Sequence, residues 1–85
     1  MLSETVDTRT GSIRASGTLT RLGADLLRGT ARSLHGSGHV RVVLDLRDVR
    51  DADDDGLEEL RGLGEELRAS GGELVLRYAP VSAGR

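Results

Sequence analysis

The chain has 85 residues and a formal net charge of −2. It contains no cysteine and no lysine, and all of its Lys/Arg-type basic residues are arginine. This composition excludes disulfides, thiolate metal sites and any chemistry that needs a lysine amine, including a P-loop. The length is that of one small domain, and because Tyr78 is the only aromatic residue, the core is expected to consist of Leu, Val, Ile and Ala.

The first half of the chain predicts short strands followed by a helix. Residues 13–16 alternate apolar and polar side chains, the period of a half-exposed strand, and Gly17 is expected to end it. A helix is predicted next, because apolar residues recur at helical spacing on one face. They are Leu19, Leu22, Leu26, Leu27, Ala31 and Leu34, and Gly36-Ser37-Gly38 is expected to end the helix.

The second half predicts a strand, a helix and a last strand. Residues 40–46, VRVVLDL, form a short and nearly continuous apolar run, typical of a strand buried on both faces. Residues 47–53 are predicted to be a loop, and a helix is predicted from Asp54 to the glycine pair at 71–72. Its apolar face is predicted to carry Leu57, Leu60, Leu63 and Leu67. Residues 74–76 form the last strand, and Pro80 is expected to end regular structure.

This order of elements predicts an α/β fold in a single domain. Helices between short apolar strands imply crossover connections, and hence a mixed sheet of about four strands with helices packed on it. The domain is expected to cover residues 1–80, and residues 81–85 are expected to form a frayed tail. The sequence shows neither a secretory signal nor an apolar run long enough to span a membrane, so a cytoplasmic protein without membrane contact is expected.

Acidic side chains are concentrated in the middle of the chain. Residues 45–66 contain ten acids against three arginines, whereas both flanking segments carry an excess of arginine. Such a block repels nucleic acid and favours a basic protein surface or a cation as its partner. Its densest part is DADDDG, residues 51–56.

The stretch DADDDG matches the opening of a calcium-binding loop. Asp51, Asp53, Asp55 and Gly56 occupy the positions that such a loop fills with Asp and Gly. The twelfth position, which must supply a bidentate Glu, is Gly62, and the preceding element is predicted to be a strand rather than a helix. We therefore expect no metal site and no cofactor, and weak cation binding by the clustered carboxylates stays as an alternative.

The start of a helix gives these aspartates a structural role. An Asp at the N-cap accepts a hydrogen bond from the free N–H groups of the first turn and contributes about 1 kcal/mol. Further acids in that turn gain roughly 0.3–1 kcal/mol from the helix dipole. Asp54 is predicted to be the cap. Capping does not explain four aspartates where one suffices, because neighbouring carboxylates repel each other.

The stretch VRVVLDLRDVRDADDDGLEEL resembles the central motif of STAS domains, the family of bacterial anti-sigma factor antagonists. In that family, a buried strand ending in an LDL-like run leads through a loop to Asp-Ser-Ser-Gly-Leu at a helix start. Residues 42–46 match the strand, Val49 matches an apolar loop position, and Asp53, Gly56 and Leu57 match the Asp, Gly and Leu. The resemblance covers residues 11–78.

Two further positions extend the resemblance. Gly17-Thr18-Leu19-Thr20 stands where the family has Gly-Glu-Leu-Asp, and Gly71-Gly72 stands at the family's stop before the next strand. The resemblance implies a STAS-like fold and a binding module rather than an enzyme. In the family, an unphosphorylated antagonist binds an anti-sigma factor of the serine kinase type and frees the sigma factor. The partner-binding residues implied here are Thr20, Asp53, Asp54, Asp55, Gly56 and Leu57.

The chain departs from the family at the switch itself. Asp54 occupies the position of the phosphorylated Ser or Thr, and Asp55 replaces the next Ser, so neither position has a hydroxyl to phosphorylate. The family's last strand and C-terminal helix are expected to be missing beyond Pro80. The expected function is therefore that of an anti-sigma factor antagonist or a degenerate relative whose switch site carries a permanent charge. One alternative is a scaffold module of a multiprotein sensor, with other STAS-containing proteins as partners, and the other is an acidic cation-binding domain.

Overall fold

The computed structural model describes residues 1–78, which form a four-stranded sheet with two helices. In chain order the elements are β1 Leu2–Asp7, β2 Ser12–Leu19, α1 Arg21–Gly36, β3 Arg41–Ala52, α2 Asp54–Ala69 and β4 Glu73–Arg77. The α/β class and the mixed sheet of four strands are confirmed. The predicted end of regular structure at Pro80 and the tail at 81–85 lie outside the described residues.

The sheet has the strand order β1-β2-β3-β4. Strand β1 pairs with β2 antiparallel, whereas β2 with β3 and β3 with β4 are parallel. Each parallel pair is joined through a helix, as crossover connections require. Both helices contribute to one apolar core with the sheet, and the Arg28 side chain on α1 bonds both carboxylate oxygens of Glu66 on α2 at 3.1 and 3.0 Å. Neither helix in residues 1–78 is long and apolar enough to cross a membrane.

The core lies on one face of the sheet only. In β3, Val42, Leu44 and Leu46 are buried under the helices, while Val43 and Asp45 point to the opposite side and are half-buried. We call this opposite side the open face. The prediction that residues 40–46 are buried on both faces is therefore wrong, because both crossover helices pack on the same side.

Strand β3 is longer than predicted. The segment predicted as a loop, residues 47–53, continues the strand to Ala52, which pairs with Leu19. Strand β2 likewise runs past Gly17, where the backbone adopts φ 99° and the pairing register slips. These register shifts are β-bulges, which interrupt the alternation of inward- and outward-facing side chains. Residues 47–52 therefore pair as a strand through main-chain hydrogen bonds, although their charged and exposed side chains show no alternating apolar pattern.

Helix α1 buries Leu27, Ala31 and Leu34 of the predicted face, but not its other two leucines. Leu22 and Leu26 are 80% and 52% exposed, and Leu19 belongs to β2 rather than to the helix. The buried residues of α1 are Gly23, Ala24, Leu27, Ala31 and Leu34. Small residues on this face bring the helix close to the sheet: a Cβ added at Gly23 would lie 3.1 Å from the side chain of Leu2.

Candidate functional site

The predicted site lies where two neighbouring parallel strands end. Leu19 at the end of β2 pairs with Ala52 at the end of β3, and the next residues, Thr20 and Asp53, are the N-caps of α1 and α2. The Asp53 amide donates to the Leu19 carbonyl at 3.0 Å. The two helix starts therefore lie side by side at one edge of the sheet, which brings Thr20 together with the predicted residues 53–57.

Asp53, and not Asp54, caps the second helix. The Asp53 Oδ1 atom accepts a hydrogen bond from the Gly56 amide at 2.7 Å, and the Leu57 amide donates to the Asp53 carbonyl at 3.1 Å. The prediction of Asp54 as the cap is wrong by one residue. Asp54 and Asp55 lie in the first turn and are exposed, so their charges are stabilised by the helix dipole but are not needed for the cap.

Gly56 holds the first turn of α2 against the neighbouring connection. It is buried, and a Cβ at this position would meet the Leu19 carbonyl oxygen at 3.0 Å and the main chain of Thr20 at 3.1 Å. These neighbours are backbone atoms, which cannot swing aside as a flexible side chain can. The lack of a side chain at Gly56 therefore allows the first turn of α2, with its aspartates, to pack directly against the backbone at Thr20.

Leu57 does not open the buried face of α2. Its side chain is 38% exposed, whereas Leu60, Leu63 and Leu67 are at most 2% exposed and form the buried stripe. The side chain of Leu57 is therefore accessible, and it lines a shallow, largely apolar groove. The other apolar residues of this groove are Leu19, Leu46, Val49, Ala52 and Tyr78.

A second apolar depression flanks the start of α1. It contains Leu22 and Leu26 together with Met1 and Leu2, and Thr20 lies on its border. Sequence reasoning assigned Leu22 and Leu26 to the core and so missed them as surface residues. A second helical stripe could have identified the buried face of α1, because its smaller residues allow closer packing on the sheet. It consists of Ala24, Leu27, Ala31 and Leu34.

A third depression connects the two apolar ones. It is lined by Met1, Gly17, Thr18, Arg50 and Asp51, and it shares residues with each of its neighbours. A continuous shallow band therefore runs past both helix starts. We call this band, together with the adjoining first turn of α2, the helix-start surface. It is apolar at both ends, Arg50 and Asp51 line the depression between them, and Asp54 and Asp55 are exposed in the adjoining turn.

The polar seam between the helices is also acidic. The carboxyl group of Asp25 on α1, beside Glu59 of α2, raises the pKa of Glu59, and partial burial raises it further. Arg28 reaches Glu59 at 3.5 Å and Glu66 at 3.0 Å, and its hydrogen bonds hold the pKa of Glu66 below its ordinary value. Arg28 therefore pairs with acids of α2 in this seam, and the acids at a helix start belong to α2 alone, because the first turn of α1 contains none.

The calcium-loop match does not form a binding loop. Asp51 lies in β3, Asp53 is a helix cap and Asp55 lies in the first turn of α2, while Gly62 is an exposed residue in the middle of that helix. Within residues 1–78, no three His, Cys, Asp or Glu side chains are placed to hold a metal ion together. The geometry of a calcium loop, with its ligands around one turn, is replaced here by a strand and a helix.

The comparisons with known proteins support the fold. No family model matches the sequence, and no curated protein matches it. Among solved structures, Mglu superposes with a TM-score of 0.73 at 21% identity over 92% of this chain. The matched region covers only 20% of the Mglu chain.

Two further solved structures are anti-sigma factor antagonists. SpoIIAA, described as an anti-sigma factor antagonist in its unphosphorylated form, has a TM-score of 0.63 at 15% identity, with 89% of this chain and 71% of SpoIIAA covered. A STAS domain from Rhodobacter sphaeroides, also an antisigma-factor antagonist, has a TM-score of 0.52 at 14% identity, with 93% and 84% covered. The fold is therefore STAS-like, and identities this low show the fold alone.

Proposed function

We propose that this STAS-like domain is a regulatory protein–protein interaction module in the cytoplasm of a bacterium. Its role is that of an anti-sigma factor antagonist or a degenerate relative, and it performs no catalysis of its own. The observation that carries the proposal is the helix-start surface, in which Asp54 and Asp55 are exposed beside half-exposed Leu57.

The chemistry of this surface favours a protein partner. Exposed apolar residues that are grouped rather than scattered are typical of interaction sites. Leu22 and Leu26 contribute such area near the start of α1, and Leu57 contributes it near the start of α2. The exposed carboxylates of Asp54 and Asp55 favour basic groups on the partner, which would orient it and speed its association. The same charge repels the phosphates of nucleic acid, so the proposal includes no nucleic-acid partner.

Asp54 gives the switch position a permanent charge. A phosphoserine at a helix start carries about −1.5 to −2 charges and three acceptor oxygens, whereas an aspartate carries one charge and two oxygens. The partner proposed from the resemblance is an anti-sigma factor of the serine kinase type, and phosphorylation would weaken its binding in that family. Asp54 is then expected to imitate the phosphorylated state in part and to hold the affinity at an intermediate value.

A scaffold role is the second candidate function. The observation that favours it is the absence of a hydroxyl at positions 54 and 55, which leaves the helix start without a group that a kinase could modify. In that role the same surface binds other STAS-containing proteins of a multiprotein complex, and its charge contributes to a constant contact rather than to a switch.

The substitution Asp54→Ser separates these functions. Asp54 is not the cap of α2, so Asp54→Ser removes only the interaction of one exposed carboxylate with the helix dipole, and stability is expected to change by about 1 kcal/mol at most. The affinity for a serine-kinase anti-sigma factor, encoded nearest to this chain's gene, is measured by calorimetry at fixed salt. Tighter binding by the Ser variant, and its phosphorylation in the presence of ATP, would support the switch function.

The matched control is Glu65→Ser, which removes one negative charge from an exposed position on the same helix, away from its start. If both variants changed the affinity equally, only the net charge of the chain would matter. If the Asp54→Ser variant bound like the unmodified chain, Asp54 would not act as a phosphate mimic. Binding to STAS-containing proteins but not to the kinase would favour the scaffold function.

A further inference from the structure

Among residues 1–78, strand β4 is an edge of the sheet, and its apolar side is incompletely covered. Its five residues read ELVLR, and β3 is its only neighbour among the described strands. Leu74 and Leu76 point to the helix side, because they pair with Val42 and Leu44, yet both are only half-buried. Free edges with apolar side chains are sites where another strand can add.

The direction of the backbone groups on β4 limits how a strand could add. The Glu73 amide donates to the Val40 carbonyl at 2.8 Å, so the main-chain groups of Glu73 point toward β3. Because these groups alternate along a strand, Leu74 and Leu76 direct theirs to the free edge. In an antiparallel addition, Leu74 and Leu76 are therefore the residues that exchange hydrogen bonds with the new strand.

The sequence of β4 is complementary to itself in that geometry. We propose that β4 pairs antiparallel with β4 of a second copy, with Val75 opposite Val75 of the second copy. This register places Glu73 opposite Arg77 and Leu74 opposite Leu76, at both ends of the strand. Leu74 and Leu76, whose main-chain groups point to the edge, then form the hydrogen-bonded pairs. Val75 and Val75 of the second copy form the non-hydrogen-bonded pair between them.

The charges on the open face continue across this junction. Within one chain, Arg14, Asp45 and Arg77 lie opposite one another on β2, β3 and β4, and Arg41 lies opposite Glu73 at 3.4 Å. The proposed register adds Glu73 of the second copy next to Arg77. The row then alternates in sign from Arg14 to Arg41 of the second copy, and opposite charges on adjacent strands stabilise such a pairing.

The other free edge of the sheet lacks this complementarity. Strand β1, LSETVD, carries Glu4 and Asp7 and no basic residue, so a second copy of β1 would add like charge along the edge. A shift of β4 by two residues keeps the backbone phase but places Glu73 opposite Val75. Only the register centred on Val75 satisfies the hydrogen bonds, the leucines and the charges together.

The contact is small, since two five-residue strands cover less area than a standard protein interface. The dimer is therefore expected to depend on concentration, and cross-linking is the suitable measurement. The chain has no cysteine, so Val75→Cys introduces a single thiol on the proposed twofold axis. Non-bonded antiparallel pairs have Cα atoms about 4.5 Å apart, within the range of a disulfide.

The matched control is Val43→Cys, which places the thiol on the same face but on β3, opposite Val75 and one strand inside the edge. Under mild oxidation, the Val75→Cys chain is expected to form disulfide dimers several times faster than the Val43→Cys chain. Equal rates, or no dimer from Val75→Cys at high concentration, would overturn the proposal.

A charge-swap mixture tests the register. Each of Glu73→Arg and Arg77→Glu, in the Val75→Cys background, places like charges opposite each other in its own dimer, so each is expected to cross-link slowly alone. A mixture pairs two arginines with two glutamates, and is expected to restore the cross-linking as a mixed dimer. Circular dichroism confirms that each variant is folded. If the mixture stayed monomeric while both variants were folded, the proposed register would be wrong.

Discussion

A side chain at Gly56 is expected to destabilise the domain, although Gly56 lies in a helix where alanine is normally preferred. A Cβ there would approach the Leu19 carbonyl oxygen to 3.0 Å and the Thr20 main chain to 3.1 Å. Overpacking against well-ordered neighbours typically costs about 1–3 kcal/mol. Alanine regains up to about 1 kcal/mol of helix propensity, so Gly56→Ala is expected to lower the free energy of unfolding by roughly 1–2 kcal/mol.

Gly62→Ala is the matched control. Gly62 lies in the same helix, and a Cβ there would meet nothing within 4 Å. It should therefore show the propensity gain alone, roughly 0.4–1 kcal/mol of added stability. Thermal unfolding followed by circular dichroism resolves the difference, because 1 kcal/mol corresponds to roughly 4–8 °C in a domain of this size. If both substitutions raised the melting temperature, the close approach of α2 to the end of β2 would be refuted.

Three other substitutions test the core and the open face. Leu60→Ala should lower the free energy of unfolding by about 2–5 kcal/mol, as truncation of a buried leucine does. Leu57→Ala, at a position 38% exposed, should lower it much less. Equal losses in urea unfolding would show that the buried stripe of α2 is misassigned. The Asp45 carboxylate accepts hydrogen bonds from the Arg47 side chain at 2.7 and 3.0 Å and from its amide at 3.0 Å, which hold its pKa well below the ordinary value. Asp45 therefore contributes stability above its unfolded pKa of about 3.9, and loses it as the pH falls toward the folded pKa. Asp45→Asn should destabilise the chain at pH 7, with a difference that shrinks below about pH 4; a difference that did not change with pH would contradict this.

Much of the fold could be predicted because helix periodicity and glycine stops are local signals. The segment at 74–76 and the helix that begins near residue 54 were found in this way, and the order of elements led to the mixed sheet. The residues after Leu46 could not be recognised as strand. Their side chains are charged and exposed, and bulges interrupt the alternation, so only pairing with β2 makes Arg47 to Ala52 a strand.

The leucines explain the main error in the predicted core. Leu22, Leu26 and Leu57 occur at helical spacing with buried leucines, and hydrophobicity alone does not show which stripe of a helix faces the sheet. In α1 the buried stripe includes Gly23 and Ala24, whose small size lets the helix lie closer to the sheet than larger side chains would allow. The candidate site was predictable in outline, since an aspartate-rich helix start is a local signal. That Thr20 lies beside it depends on the parallel pairing of β2 and β3.

The proposed recognition surface is tested most directly by an NMR titration of the isotope-labelled chain with a serine-kinase anti-sigma factor. We expect the largest amide shifts and line broadening at Thr20 and at residues 53–57, extending to Leu22 and Leu26. Little change is expected at Asp45 and Arg47 on the open face. Changes centred on the open face, with the amides of residues 53–57 unaffected at saturation, would contradict the proposed surface.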